Sequence, residues 1–390
     1  MKKLSLQLES GYCRLNSPAA TLQRIQPMLA KCGITRYADI TGLDEIGIPT
    51  YAAIRPRALV LQVSNGKGVT ADAAKVSALM EAIEVDHAER PLREKLRWAS
   101  AEELEAAGEN YYDPQKLEMR SDVYWEAGYK IPWTLGENIL TREQVWFPGN
   151  YIYFDLEPVQ FQTSSNGLAS GNHRLEADLH ALYELIERDA VSGAFRNFKL
   201  KVLKHWTVID PSSVDEPPLS DLIARVNRAG IRLLLIHIHY GMPIHTFWAL
   251  LVNESSFSPV SALNYGYGTH LDPLVAACRA VTEAAQSRLT FIHGCREDLL
   301  EKKSFRAVNV EDSRAFTFFR NLHADRNWSD FRDCGDEQIE DLVECHDHVV
   351  SLVQKAGKGP VYRFDLERPE IGIPVVRLVA PSLGINSRLF

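Results

Sequence analysis

The sequence SNGLASG at residues 165–171 leads into a helix-type pattern that contains HALYELIE at residues 180–187. Another segment repeats this arrangement, with SNGKG at 64–68 followed by SALMEAIE at 77–84. The spacing from the last glycine to the first glutamate of each E-x-x-E pair is 13 residues, from 68 to 81 and from 171 to 184. Such a recurrence predicts a repeated unit in which a polar glycine turn leads into a helix.

A weaker third copy runs from YGYG at 265–268 to RAVTEAAQ at 279–286, with 15 residues from the last glycine to the glutamate. Residues three or four apart lie on one face of a helix, so each copy should present a narrow polar stripe. The three stripes consist of Ser77, Glu81 and Glu84, of His180, Glu184 and Glu187, and of Arg279, Glu283 and Gln286.

The four glutamates of the first two copies are candidate metal ligands. Apolar residues fill the positions between them, and a buried carboxylate is costly unless it is paired or bound to a metal. Mg²⁺ prefers carboxylate and phosphate oxygens and keeps waters or nucleotide oxygens in its other positions. Glu81, Glu84, Glu184 and Glu187 are therefore predicted to converge on Mg²⁺, whereas the alternative interpretation of each pair is a solvated helix face.

The glycine-containing stretches are candidate anion sites, because free N–H groups and the helix dipole at a helix start attract anions. The stretch SNGKG at 64–68 does not match a Walker P-loop, which requires G-x-x-x-x-G-K-[ST]. The simplest interpretation of Lys67 is a surface loop lysine.

Short apolar runs alternate with helical patterns along the chain, which predicts a mixed α/β (α+β) fold. Strands are predicted at 58–63, 232–238 and 374–379. Helices are predicted at 71–90, 99–107, 174–196, 219–229, 271–293 and 337–356. Because no Gly/Ser-rich or Pro-rich linker divides the sequence, we expect residues 1–390 to form one large domain. Its core would span about residues 55–300, with the C-terminal segment 301–390 packed on it.

Composition narrows the functional classes. The formal net charge of −8 argues against broad nucleic-acid binding, which requires a basic surface. The longest apolar runs are shorter than a membrane-spanning helix, and the N-terminus lacks the apolar core of a signal peptide. Six cysteines without a C-x-x-C pair are typical of free thiols in a reducing compartment. A cytoplasmic location without membrane contact is therefore expected.

The repeated blocks resemble those of the YcaO family. Residues 77–84 resemble the family's S-x-x-x-E-x-x-E-R motif, and NGLASG at 166–171 with ELIERDA at 184–190 resembles N-G-x-A-x-G … E-x-x-E-R-D-A. AVTEAAQSR at 280–288 resembles the third block, A-x-x-E-x-x-Q-x-R. The resemblance extends over about residues 12–385. RLNSPAAT at 14–21, GITR at 33–36 and LDEIGIP at 43–49 are similar to the TfuA-associated subgroup.

The resemblance implies an ATP- and Mg²⁺-dependent enzyme and assigns roles to individual residues. Glu81, Glu84, Glu184 and Glu187 would hold Mg²⁺ against the ATP phosphates. The residues implied to contact nucleotide are Arg14, Thr21, Ser77, His180, Arg196 and Arg279. Two positions depart from the family pattern: Val85 replaces the arginine of the first motif, and His180 replaces an expected Asn or Gln.

The implied chemistry is the phosphorylation of a backbone amide oxygen in a peptide or protein after a nucleophile adds to the carbonyl. Sulfide would give a thioamide, a Cys, Ser or Thr side chain an azoline, and an amine an amidine. The TfuA-type blocks, and the lack of a P-x-P-x-P tail and of a fused ThiF/E1-like domain, favour thioamide formation with a TfuA-like or other accessory protein. An azoline-forming cyclodehydratase with a separate partner, and a non-catalytic nucleotide-binding scaffold, remain alternatives, and a homodimer is left open.

A histidine group lies outside these motifs. His237 and His239 fall on one face of a predicted strand, and His245 follows shortly after it. They could bind zinc, but no cysteine or acidic residue lies close by in the sequence. Half-buried sheet histidines are the favoured interpretation.

Overall fold

Helices and antiparallel sheets alternate in a computed structural model that describes residues 3–9, 11–154, 156–195, 205–255, 262–296, 314–332 and 339–385. Its helices are α1 (Pro18–Ile25), α2 (Ala71–Glu89), α3 (Ala101–Ala106), α4 (Gly149–Ile152), α5 (Arg174–Phe195), α6 (Leu219–Arg228), α7 (Pro273–His293), α8 (Arg314–Arg320), α9 (Ser329–Arg332) and α10 (Leu342–Lys355). Its first eight strands are β1 (Gln7–Glu9), β2 (Tyr12–Arg14), β3 (Arg36–Asp39), β4 (Thr50–Ile54), β5 (Val63–Lys67), β6 (Leu96–Ala99), β7 (Ile131–Asn138) and β8 (Gln144–Pro148). The others are β9 (Leu168–Ser170), β10 (Trp206–Ile209), β11 (Arg232–Ile238), β12 (His245–Val252), β13 (Leu263–His270), β14 (Tyr362–Asp365) and β15 (Val375–Val379).

The strands form four antiparallel sheets. A six-stranded sheet has the order β6-β7-β14-β15-β9, with β8 paired to β7. A four-stranded sheet has the order β10-β11-β12-β13, a three-stranded sheet the order β3-β4-β5, and β1 and β2 form a hairpin. Since β14 and β15 lie between β7 and β9, residues from the C-terminal region supply interior strands of the largest sheet.

Local sequence explains where the main helices begin and end. The Thr70 side chain caps α2 by accepting a hydrogen bond from the Ala73 nitrogen. The Asp272 carboxylate accepts hydrogen bonds from the nitrogens of the first turn of α7, where Pro273 lacks an N–H to satisfy. Gly294 ends α7 in the left-handed conformation, with φ +63°. None of the described helices is both long enough and apolar enough to cross a membrane.

The structure confirms the mixed α/β prediction and the six predicted helices, to within a few residues at most ends, although positions 196, 337 and 338 lie outside the described residues. The strands predicted at 232–238 and 374–379 are β11 and β15. The strand predicted at 58–63 is wrong, because residues 58–62 form a loop that leads into β5. This loop is closed by a hydrogen bond from the Arg55 nitrogen to the Gln62 carbonyl, at 2.8 Å. Its apolar side chains point outward, with Leu59 62% and Val60 48% exposed.

Candidate functional site

Three strand-and-helix units form the site: β5 with α2, β9 with α5, and β13 with α7. Gly66 of the first unit lies within β5, and Gly266 and Gly268 of the third lie within β13, not in the turns that the sequence predicted. A Cβ atom at Gly66 would overlap the Ala78 backbone of α2, and one at Gly266 would overlap the Ala284 backbone of α7. These glycines let each strand approach its helix closely, whereas Gly167, with φ +75°, does form a turn.

The three helices line one cavity of about 1080 Å³. Glu81 and Glu84 from α2 and Glu184 and Glu187 from α5 contribute to its wall, as does Glu283 from α7. The structure therefore brings together all four predicted metal ligands. A fifth carboxylate, that of Glu283, also lines the cavity. It occupies the position in the third copy that Glu81 and Glu184 occupy in the first two.

Enclosure within the protein shifts the ionisation of these carboxyl groups. Burial raises the pKa of Glu84 to about 8, although two hydrogen bonds from Ser170 oppose the shift. Burial also raises the pKa of Glu184 to about 7, against the opposing charge of Arg188, and it raises that of Glu187. A nearby cation would lower these raised pKa values, since opposite charge favours the ionised form of a carboxyl group.

Arg188 distinguishes the second unit from the first. Its guanidinium lies 3.9 Å from a Glu184 oxygen and 3.8 Å from a Glu187 oxygen. The equivalent position in α2 is Val85, which lines the cavity without a charge. The α5 pair is therefore partly neutralised by a cation of its own helix, whereas the equivalent position of α2 carries no charge. Sequence reasoning quoted Arg188 within a motif but assigned it no role, although its place directly after the second glutamate was a usable signal.

Lys67 corrects the interpretation of a surface loop lysine. Its side chain is 17% exposed and forms an ion pair with Glu283 across the cavity. Burial opposes the ionisation of Glu283, but the Lys67 and Arg188 cations outweigh it and lower the pKa of that carboxyl. Gln286 of α7 donates a hydrogen bond to the Asn65 carbonyl at 2.9 Å, which joins the first and third units next to this ion pair.

The predicted nucleotide contacts lie around the same cavity, with one exception. Arg14, Thr21, Ser77, His180 and Arg279 all line it, and Arg196 lies outside the described residues. Arg279 donates to His180 Nε2 at 3.3 Å, and its own Nε has no hydrogen-bond partner among the described residues. Burial, and then the neighbouring Arg14 charge, lower the pKa of Arg279. Burial likewise lowers the pKa of His180, so that imidazole is neutral at pH 7.

The N-terminal segment is held against the cavity by polar contacts that sequence reasoning did not anticipate. Glu176 of α5 accepts hydrogen bonds from the Leu15 nitrogen at 2.9 Å and from the Asn172 nitrogen at 3.1 Å. The Asn172 side chain donates to Thr21 Oγ1 at 3.1 Å. Glu176 also lies 4.0 Å from the Arg14 guanidinium. These contacts fix Arg14 and Thr21 in the cavity wall.

The donor set fits a cation that nucleotide oxygens help to coordinate. Within the described residues, no group of three or more His, Cys, Asp or Glu side chains is arranged to hold a metal ion by itself. Mg²⁺ normally takes one or two protein carboxylates and completes its octahedron with phosphate oxygens and waters. Carboxyl groups with raised pKa values on α2 and α5, in one cavity with cations on α7 and β5, match that arrangement.

Comparison with known proteins agrees with this geometry. Residues 65–384 match the family model described as YcaO cyclodehydratase, ATP- and Mg²⁺-binding. An uncharacterised protein of Methanothermobacter thermautotrophicus is 34% identical over 388 residues, which cover 95% of this chain and 94% of that protein. An uncharacterised protein encoded in the tfuA 3′ region of Rhizobium leguminosarum bv. trifolii is 32% identical over 405 residues, covering 99% and 92%.

Solved structures share the fold. YcaO from Methanopyrus kandleri bound with AMPPCP and Mg²⁺ superposes with a TM-score of 0.77 at 23% identity, covering 98% of this chain and 95% of that one. A heterocyclase in complex with substrate and cofactor superposes with a TM-score of 0.76 at 23% identity, covering 98% of this chain and 54% of that one. The cofactors expected from the sequence, ATP and Mg²⁺, are those of the matching family. The resemblance to the YcaO family is thus confirmed, and the chain belongs to that family.

Proposed function

We propose that this protein uses ATP with Mg²⁺ to phosphorylate the carbonyl oxygen of a backbone amide in a peptide or protein substrate. The observation that carries the proposal is the distribution of charge in the cavity. Carboxyl groups on α2 and α5 and cations on α7, β5 and the N-terminal segment line one cavity of about 1080 Å³. Phosphoryl transfer depends on this kind of positioning and charge stabilisation.

Each side of the cavity has its own task. Glu81, Glu84, Glu184 and Glu187 would hold Mg²⁺, which supplies positive charge beside the transferring phosphoryl group. Arg279 is suited to bind phosphate oxygens. Its Nε is buried and has no hydrogen-bond partner, and among the described residues no carboxylate lies within salt-bridge distance of its guanidinium. The nucleotide contacts assigned to Arg14, Thr21, Ser77 and His180 belong to the same proposal, as does that of Arg196, which lies outside the described residues.

The product we propose is a thioamide. Hydrosulfide adds to the amide carbon, and the resulting oxyanion attacks the γ-phosphorus of ATP, from which ADP leaves. The C–O bond then breaks and releases phosphate, with the former amide oxygen in it and the proton from sulfur on it, as the C=S bond forms. The amide, hydrosulfide and ATP are thereby converted to the thioamide, ADP and hydrogen phosphate. Phosphorylation is needed because an amide oxygen is a poor leaving group.

Two observations support this product and a TfuA-like partner. One is the set of N-terminal blocks that resemble the TfuA-associated subgroup, and the other is the Rhizobium relative whose coding region adjoins tfuA. The second candidate product is an azoline, formed when a substrate Cys, Ser or Thr side chain is the nucleophile. The family description and the heterocyclase of similar fold favour that alternative.

A single experiment separates these outcomes. The protein is incubated with ATP, Mg²⁺, a sulfide source, a TfuA-like protein and a substrate whose amide carbonyl carries ¹⁸O. We expect the ¹⁸O label in the released phosphate. We also expect the substrate mass to increase by about 16 Da, apart from the isotope change, because sulfur replaces oxygen after amide activation. Thioamide absorbance in the near ultraviolet distinguishes this product from an oxidised peptide. Loss of about 18 Da, again apart from the isotope change, that depends on a substrate Cys, Ser or Thr would establish the azoline instead. Unlabelled phosphate would contradict phosphorylation of the amide oxygen.

A further inference from the structure

The apolar loop before β5 forms one edge of the cavity. Leu59, Val60 and Leu61 all line the same cavity as the glutamates, yet Leu59 is 62% and Val60 48% exposed. Backbone hydrogen bonds hold this loop in place, including one from the Val60 nitrogen to a Glu89 carboxylate oxygen at 2.9 Å. Consecutive aliphatic side chains kept outward at the mouth of a cavity are typical of a binding surface.

Two buried residues continue this surface into the cavity. Val85 is 5% and Phe154 6% exposed, and both line the cavity. Phe154 is attached to α2 through a hydrogen bond from its nitrogen to the Ala88 carbonyl, at 2.9 Å. On a helix, positions 85, 88 and 89 share one face, so Val85 lies one turn before the points where Phe154 and Val60 are attached. We call Leu59, Val60, Leu61, Val85 and Phe154 the apolar lip.

The lip is a particular feature of the first unit. In the second unit the position equivalent to Val85 holds Arg188, whose charge lies beside Glu184 and Glu187. Valine at this position leaves an uncharged surface directly after Glu84. None of the five lip side chains can donate or accept a hydrogen bond, so a group that binds to the lip should be apolar.

We propose that the apolar lip binds an apolar side chain of the peptide substrate within two residues of the activated amide. This inference rests on the proposed function, because it needs a peptide whose amide lies near Glu84. From Glu84 to Glu89, where Val60 is attached, α2 rises by about 7.5 Å at about 1.5 Å per residue. Two residues of extended peptide span about 7 Å. A peptide that places its amide beside the carboxylates therefore reaches the lip with the side chain of a nearby residue.

The other end of the cavity suits the nucleotide phosphates. Lys67 is at the far end of β5 from Val63, about 13 Å away along an extended strand. Two further cations that line the cavity, Arg279 and Arg14, come from α7 and β2, and Arg188 lies beside the α5 carboxylates. The lip itself contains no cation. The cavity thus has a phosphate-binding end and an apolar end, with the α2 carboxylates between them.

The test uses two synthetic probes, acetyl-Gly-Gly-Leu-Gly-Gly-amide and the same peptide with Asp in place of Leu. Their binding to the protein is measured by saturation-transfer NMR with Mg²⁺ and AMPPCP present. We expect the leucine peptide to bind about tenfold more tightly than the aspartate peptide, as is typical when an apolar pocket contacts a side chain. The double variant Leu59→Ser/Val60→Ser and the single variant Val85→Arg should both lose this preference. Leu43→Ser is the matched control, since Leu43 is 52% exposed and does not line the cavity.

Three results would overturn the inference: no binding of the leucine peptide to the wild-type protein, equal binding of both peptides, or an unchanged preference in the double variant. A drop in AMPPCP affinity in the double variant, but not in Leu43→Ser, would assign the lip to the adenine ring instead. Failure of the wild-type protein to bind AMPPCP with Mg²⁺ is a separate result, which contradicts the proposed function itself. Because Leu59 and Val60 are exposed, their replacement should not affect folding, and circular dichroism checks this.

Discussion

The Glu84 carboxylate accepts two hydrogen bonds from Ser170, one from its backbone nitrogen at 2.8 Å and one from its hydroxyl at 2.6 Å. Both bonds go to the same oxygen, Oε1, and they join α2 of the first unit to β9 of the second. The other carboxylate oxygen is not part of this contact. Ser170 is therefore a positioning residue, which fixes the rotamer of a predicted metal ligand.

Ser170→Ala should weaken the Mg²⁺-dependent binding of ATP by about tenfold, since a hydrogen bond to a charged group contributes about 1.5–3 kcal/mol. The hydrogen bond from the nitrogen of residue 170 remains, so Glu84 keeps one of these two hydrogen bonds. Calorimetric titration of ATP at several Mg²⁺ concentrations should show that the variant needs more Mg²⁺, with little change in melting temperature. A shift of the melting temperature without any change in Mg²⁺ dependence would mean that the contact is only structural.

Glu184→Gln should abolish measurable ATP binding in the presence of Mg²⁺ while leaving the protein without nucleotide at least as stable as wild type. Glutamine keeps the shape of the side chain but cannot neutralise a cation. It also removes a buried carboxyl group whose pKa is raised to about 7, so it relieves repulsion from Glu187 and Glu283 above that pH. Glu81→Gln should lose binding in the same way. Calorimetry provides the affinity, and Glu105→Gln, on an exposed face of α3, is the control. Undiminished affinity in both variants would remove these helices from the nucleotide site.

Arg279→Ala should reduce ATP affinity by at least about tenfold and leave folding intact, because this buried guanidinium has no carboxylate partner within salt-bridge distance among the described residues. Arg363 is the matched control. It is also buried, but it is paired with Asp178 at 2.9 Å and with Glu137 at 3.2 Å. Arg363→Ala should therefore lower the melting temperature strongly, since it leaves Asp178 as a buried charge without that partner. Collapse of Arg279→Ala in circular dichroism would show that Arg279 is structural.

The sequence allowed the helices and the four glutamates to be predicted because both follow short periodic rules. Spacings of three and four residues place Glu81 and Glu84 on one face, and the copies repeat that spacing. The prediction that Gly66 lies in a turn was wrong because the constraint on this residue is non-local. Glycine is required there because the Ala78 backbone of α2 leaves no room for a Cβ atom. Residues 58–62 include strand-forming types, but no neighbouring strand pairs with them among the described residues. The roles of Lys67 and Arg188 depend on Glu283 and Glu184, and only the folded chain sets those distances.

The three histidines form a cluster at the four-stranded sheet, and the interpretation of half-buried sheet residues holds only in part: His237 of β11 is buried, His245 of β12 is half-buried, and His239, directly after β11, is exposed. His237 Nδ1 lies 3.2 Å from His239 Nδ1, and His237 Nε2 lies 3.3 Å from His245 Nδ1. The rings of Phe247 and Phe331 pack against His237. Burial, followed by the repulsion that charged His245 and His239 would exert, lowers the pKa of His237 to about 3.

His237 should therefore destabilise the protein in acid. In the unfolded chain its pKa returns to about 6.5, so below that pH the unfolded state binds a proton that the folded state does not bind until about pH 3. Stability is thus lost as pH falls from about 6.5, by about 1.4 kcal/mol at pH 5.5 from this group alone. His237→Gln removes the titration, and urea unfolding at pH 7.5 and 5.5 should show that the variant loses about that much less than wild type. His323→Gln is the control, because it replaces an exposed histidine outside the cluster. An equal loss of stability in His237→Gln and wild type would show that His237 is protonated in the folded protein.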